Sequence, residues 1–428
     1  MSPSFGVLFG SSPSAILFAL TITFISLMSA NFSTVPALDY ALVSDPARRP
    51  EFIFQLQHAL INVGFLYLKN PPVSRKDTDD LIRYIPLLFA LPQEAKDEIR
   101  MANSPHFLGY SKLGAELTKG ETDHREQFDF ATPHTCRWSP GAPDYLRLWG
   151  PSQWPEETAL LGFKSTMERY LAQVQALGYK FIELLAEAFG LSHDALSQFY
   201  DSDELMQHRA KVCNLQPDMS QSALHGSFIS TILCDDHRKI MDSVYLLRAL
   251  VSQIAKYPAP TDEIASNQGL GPHYDGGFLT FLLQASDQPG LQVQNLSGQW
   301  IDVPPIPGTF VVNIGKALEF VTQGLARATS HRVLSPVKGS TPRYSVPFFQ
   351  TISLDTRLAD QVLECKINIL THRHYCLKEQ RGLTAATESS IAGPHEMPRS
   401  HPDVAAAHYP DLFKQFFPNG SPAQASAY

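Results

Sequence analysis

Cysteine is scarce in this chain: five among 428 residues, an odd number, and never spaced Cys-x-x-Cys. That excludes a disulfide framework and reads as reduced thiols in an intracellular enzyme. Cys365 and Cys376 are accordingly read as two free thiols rather than a pair. Basic charge is not in excess either. A formal net charge of −8 and a pI near 6.0 exclude nucleic-acid binding as the main business. Internal repeats are absent. The apolar run Ala15–Met28 covers fourteen residues, short of the ~20 that a spanning helix needs, and it lacks the basic flank of a signal peptide. A cytoplasmic protein is therefore expected, with a membrane-anchored or secretory one only if residues 1–27 are a real anchor. Hydrophobic residues make up 44% of the chain, enough for a sizeable core in one large or two ordinary domains.

What is present is concentrated in a short segment, Gly271-Pro-His273-Tyr-Asp275-Gly-Gly. His273 and Asp275 are two apart, so on an extended strand both side chains leave the same face. Ser330-His331-Arg332 offers a third ligand from another strand. Two imidazoles and a carboxylate on one face of a metal are the facial triad of non-haem Fe(II) oxygenases. Arg343 and Ser345 repeat the two-residue spacing one strand later, where a guanidinium and a hydroxyl can fork a carboxylate. An isolated His-x-Asp triplet means little. The ordered set carries the reading, because it falls on short strands: Phe278–Leu283, Gly290–Gln294, Trp300–Val303, Phe310–Ile314, Ser330–Leu334 and Arg343–Phe349. Separated by Gly, Pro, Asn and Ser, these have the look of a double-sheet jelly roll.

The stretches GPHYDGGFLTFLLQ (271–284), GLQVQNLSGQWIDVPPIPGTFVVNIG (290–315), SHRV (330–333) and RYSVPFF (343–349) resemble the catalytic core of Fe(II)- and 2-oxoglutarate-dependent dioxygenases of the isopenicillin N synthase-like type. FQLQHALINVGFLYLKN (54–70) and DHREQFDF (123–130) resemble that family's N-terminal cap, and residues 400–420 the tail of fungal members. The resemblance implies an α+β protein with a double-stranded β-helix (jelly-roll) core, an N-terminal helical cap and a long scaffold helix. It implies iron ligands His273, Asp275 and His331, a 2-oxoglutarate clamp at Arg343 and Ser345, and a co-substrate tyrosine at Tyr257. Ala255 stands where plant members carry asparagine, Asn70-Pro-Pro-Val73 replaces Asn-His-Gly-Val, and Lys316 replaces an acidic residue. The implied reaction hydroxylates, desaturates or cyclises a small molecule with dioxygen, releasing succinate and CO2, in fungal secondary metabolism. An Fe(II) oxidase that dispenses with 2-oxoglutarate, and a jelly roll that binds without catalysis, are the competing readings. Nothing near the ligands supplies the general base of a hydrolytic zinc enzyme.

Along the chain, residues 1–27 read as a non-family extension, with translation starting at Met28. Residues 28–150 form the cap, with helical spacing over Phe52–Val63, a strand over Gly64–Leu68 and a helix over Lys76–Leu91 stopped at Pro92. Residues 151–211 carry the scaffold helix, with apolar positions every three or four residues over Glu156–Phe189. Residues 254–350 are the jelly-roll core. Residues 351–428 are tail, with a helical stretch near Asp403–Phe417. His372, His374, His401 and His408 read as surface residues, and Tyr274, Phe278 and Phe348 as pocket walls or, more often for aromatic residues on strands, core. Residues 212–253 fit none of this. They open with Val-Cys, encodable as GTATGT, and close with Gln, encodable as CAG, the two ends of a fungal intron, and so read as an intron translated in frame, with a real lineage-specific insertion as the alternative.

Overall fold

Alternation along the central strands decides which residues meet. The computed structural model describes residues 31–115, 117–118, 121–123, 125–214, 254–257, 268–337, 339–356, 358, 362–365 and 401–420. In chain order the strands are β1 (Ala37–Asp39), β2 (Phe65–Lys69), β3 (Gly109–Ser111), β4 (Leu117–Thr118), β5 (Glu121–Thr122), β6 (Glu126–Ala131), β7 (Arg209–Asn214), β8 (Ile254–Tyr257), β9 (Gln268–His273), β10 (Leu279–Gln284), β11 (Leu291–Gln294), β12 (Trp300–Asp302), β13 (Thr309–Ile314), β14 (His331–Leu334) and β15 (Arg343–Gln350). Helices are α1 (Arg49–Asn62), α2 (Arg75–Phe89), α3 (Gln93–Glu98), α4 (Phe163–Ala188), α5 (Lys316–Val321), α6 (Pro402–His408) and α7 (Pro410–Phe416).

A major sheet runs β1-β2-β13-β10-β15-β7-β8-β6-β3, and a minor sheet runs β12-β11-β14-β9. On β2, β10 and β13 one face (Phe65, Tyr67; Leu282; Val311) packs with Leu270, Leu291, Val293 and Val333 of the minor sheet. The other face (Leu66, Leu68; Leu279, Phe281, Leu283; Phe310, Val312, Ile314) joins a second core with the helices. The period of two thus feeds two separate cores from the same strands. The jelly roll expected over 254–350 is present, but its major sheet also recruits β1, β2, β3, β6 and β7 from the preceding part of the chain.

Helix α4 is the scaffold. Met167, Tyr170, Leu171, Val174, Leu177 and Phe181 recur at helical spacing and are buried. It ends where Gly190 takes φ +65°, with Leu191 N donating to Ala186 O (2.9 Å) and Gly190 N to Glu187 O (3.0 Å), the paired bonds of a glycine C-terminal cap. Phe181 meets Phe281 of β10 edge-on, with ring centroids 5.6 Å apart. Phe281→Ala should therefore cost about 3–5 kcal/mol of unfolding free energy by urea titration. His273, Asp275 and His331 are not part of that helix-side core and should be spared.

Several local expectations change. Helix α2 accommodates Pro86 and ends at Phe89, before Pro92, which leads into α3. The single C-terminal helix expected over 403–417 is two, divided at Tyr409 before Pro410. His401 is buried against the Phe107 ring, not exposed, and His408 is half-buried with Nε2 on Ala102 O (2.9 Å). Among the described residues Cys136 and Cys365 are free thiols, and no helix there is long and apolar enough to cross a membrane. Residues 1–27, His372, His374 and Cys376 lie outside the described residues.

Candidate metal centre

Strand β9 ends at His273, so Asp275 sits beyond it, in the turn to β10, rather than on the same extended strand. The pair is brought together by the fixing of that turn. Lys316 N donates to Asp275 O (2.8 Å), Ala317 N to Gly276 O (3.0 Å) and Gly315 N to Phe278 O (2.9 Å), strapping the turn to the start of α5. The approach requires glycine, since a Cβ on Gly315 would lie 1.9 Å from Gly277 O. The side chain of Lys316, the departure from the family pattern, points to other work: it pairs with Glu319 (2.5 Å) and covers the Tyr274 ring (4.3 Å).

His331 arrives from β14, paired in register with His273. The two rings lie 4.1 Å apart by centroid, and Asp275 Oδ1 is 3.5 Å from His331 Nε2 and 3.7 Å from His273 Nε2. One ligand atom from each of the three residues falls within 4.8 Å of the others. The remaining atoms of each group are already engaged. His273 Nδ1 meets Gly271 O (2.8 Å) and His331 Nδ1 meets Thr329 O (3.2 Å). A carbonyl only accepts, so each Nδ1 carries the proton and each Nε2 offers its lone pair to the shared centre. Asp275 Oδ2 accepts from Thr280 Oγ1 (2.5 Å) and Asn313 Nδ2 (2.6 Å), leaving Oδ1 for a metal. The donor set fits one divalent cation bound by two nitrogens and one oxygen.

The electrostatics differ among the three groups. Burial drives the His273 imidazole down to about 3, helped by the neighbouring His331. Burial works against ionisation of Asp275, but the two imidazoles and the Thr280 hydroxyl hold its carboxyl well below the usual range. His331 is also disfavoured as a cation by burial, and the Asp275 carboxylate outweighs that and raises it.

Strand β15 supplies the far end of the cavity. Arg343, Ser345, Pro347 and Phe349 face inward, while Tyr344, Val346 and Phe348 join the helix-side core. Arg343 is 1% and Ser345 2% exposed. The guanidinium donates from Nη2 to Gln284 Oε1 (3.1 Å), and its Nη1 lies 3.5 Å from Ser345 Oγ. One cavity between the sheets is lined by His273, Asp275 and His331 together with Arg343 and Ser345. Tyr257 pairs with Arg343 through the backbone; its side chain lies outside what the structure describes. Phe278 and Phe348 are core, and Tyr274 is 48% exposed.

With the geometry in place, likeness to known proteins becomes informative. Residues 246–352 match the 2OG-Fe(II) oxygenase superfamily, and 35–157 the N-terminal region of the non-haem dioxygenases in morphine synthesis. A 2-oxoglutarate-dependent dioxygenase, frbJ, of Dothideomycetidae sp. is 38% identical over 325 residues, covering 76% of each chain. The chain belongs to the 2OG-Fe(II) oxygenase superfamily. A 2-oxoglutarate-dependent dioxygenase of Gibberella zeae is 34% identical, over 76% of this chain and 77% of that one. The fold is that of a full-length Neurospora crassa protein solved with alpha-KG (TM-score 0.58, 24% identity, 80% of this chain and 91% of that one). This oxygenase uses Fe(II) and 2-oxoglutarate.

Thr280, Asn313 and Gln284 were missed in the sequence. Thr280 and Asn313 are polar residues inside the apolar strands FLTFLLQ and FVVNI, and Gln284 ends the first of these; a buried polar group needs a partner. That was the available signal. Asn313→Ala should lower Fe(II) affinity about 10- to 100-fold without unfolding the protein, as checked by metal titration beside circular dichroism.

Proposed function

We propose that His273, Asp275 and His331 hold the Fe(II), that Arg343 and Ser345 bind the distal carboxylate of 2-oxoglutarate, and that the enzyme oxidises a small polar molecule in fungal secondary metabolism. The observation that carries the assignment is the shared cavity: three convergent ligand atoms at one end and a buried guanidinium at the other. A dicarboxylate 2-oxo acid has matching ends, one chelating and one anionic. Bound together, iron and 2-oxoglutarate supply C–H oxidation by dioxygen, with succinate and CO2 as co-products.

The residues of this chain set the conditions. Gly271 O and Thr329 O keep both imidazoles as Nε2 donors, and Thr280 and Asn313 occupy Oδ2 of Asp275, so that Oδ1 would be the oxygen offered to the metal. Leu270, Leu282, Leu291 and Val333 line the cavity with apolar surface, which excludes water. Gln127 and Ser345 both pair with Ala255, so β6 continues the same inner face. Its residues there, Gln127 and Asp129, are buried, as is Lys211 opposite Asp129. These buried polar groups, on the sheet face that carries Arg343 and Ser345, support a polar substrate over a hydrocarbon. The two fungal relatives support the dioxygenase reaction.

The assignment is tested by anaerobic addition of Fe(II) and then 2-oxoglutarate, following the weak visible charge-transfer band of a chelated 2-oxo acid. A saturable band that needs Arg343 is expected. A band of unchanged affinity in Arg343→Met, or iron bound without His273, Asp275 and His331, would sink the assignment.

A further inference from the structure

Strand registers on both sides of β7 and β8 count the two segments as one uninterrupted strand. On β6, Ala131, Phe130 and Asp129 pair with Arg209, Ala210 and Lys211, and the next three residues, Phe128, Gln127 and Glu126, pair with Ile254, Ala255 and Lys256. No position of β6 is skipped between the partners Lys211 and Ile254. On the other side, β15 pairs Phe349 and Phe348 with Arg209 and Ala210, then Ser345, Tyr344 and Arg343 with Ala255, Lys256 and Tyr257. That leaves Pro347 and Val346, the two places that Lys211 and Ile254 would fill in sequence. Two neighbours with different sequences thus give the same offset, the forty-two residues 212–253.

The chain also competes with itself for this place. Val212, Cys213 and Asn214 run parallel to Ile254, Ala255 and Lys256, each level with the residue forty-two positions later. Either segment follows Lys211 at the same height on the sheet. Tolerated insertions sit at loop tips, where the backbone has no ladder to break. This one enters the interior of a strand flanked on both sides, and it does so without consuming a single place. The interrupted strand is the one that pairs with Arg343 and Ser345, so the insertion falls on the support of the carboxylate clamp.

We infer that residues 212–253 are absent from the working oxygenase, in which Lys211 is joined directly to Ile254. The GT-initial codon of Val212, the CAG available to Gln253 and a length that preserves the reading frame make the segment an intron that is removed in the active product. The chain carrying it is the product of the unspliced message.

The protein isolated from its native source, digested with a protease that cuts after glutamate, should yield a peptide in which Lys211 is followed by Ile254. Val212 after Lys211 in most of the protein would overturn the inference. A second measurement compares the full chain with one lacking 212–253. The joined chain should melt several degrees higher, and a lower melting temperature or failure to fold would count against it. Neither readout involves iron or 2-oxoglutarate. A joined chain that is more stable yet binds 2-oxoglutarate without need of Arg343 would sink the clamp assignment and leave the junction standing.

Discussion

Asp275→Ala should remove Fe(II) binding and all oxygenase activity while leaving the fold intact. Oδ1 of this carboxylate faces both Nε2 atoms, so it is the only anionic member of the donor set. Its loss leaves two neutral imidazoles, a set too small and too uncharged to hold a labile divalent ion against water. The fall in affinity should exceed the roughly 10- to 100-fold expected for partners that merely orient a ligand. Equilibrium dialysis against Fe(II) in the absence of dioxygen reads this directly. Asp275→Ala protein that still binds one iron per chain would show that the three residues are not the metal site. The comparison with Asn313→Ala separates the roles, since Asn313 touches Oδ2 alone.

The second large effect belongs to Arg343. Arg343→Met keeps much of the side-chain volume and removes the charge, so a 2-oxoglutarate carboxylate would enter a buried site without its guanidinium partner. Removing one partner of a buried, hydrogen-bonded charge pair costs about 2–5 kcal/mol, which corresponds to about a 30- to 4,000-fold rise in Kd for 2-oxoglutarate. Fe(II) affinity should be unchanged, because the guanidinium engages Gln284 and Ser345 at the far end of the cavity. Ser345→Ala removes a single hydrogen bond of about 0.5–1.5 kcal/mol and should raise Kd only about 2- to 12-fold. Equal effects at both positions, or loss of iron at Arg343, would sink the clamp.

The candidate ligands were legible because each arrived with a pattern. His-x-Asp, Ser-His-Arg and Arg-x-Ser fall on or beside strands marked by apolar runs and turn residues, in an order that few other folds would need. The scaffold helix was legible from its spacing, as was the alternation that sends Ser345 and Phe348 to opposite faces of β15. His401 was misread because a polar local sequence says nothing of a distant ring, here Phe107, that covers it.

The sequence by itself determined the type of chemistry: two histidines, one aspartate and an arginine with serine, carried on a jelly roll. Residue type and short-range spacing are local properties, and they suffice for that. The tertiary structure decided what depends on contacts between distant segments. Asp275 is aimed by a backbone strap to residues some forty positions later, not by strand geometry. Its second oxygen is held by Thr280 and Asn313 from neighbouring strands of the major sheet. The register of β6 and β15 brings Lys211 and Ile254 to adjacent places. Register is fixed by pairing with other strands, and no stretch of sequence carries it alone.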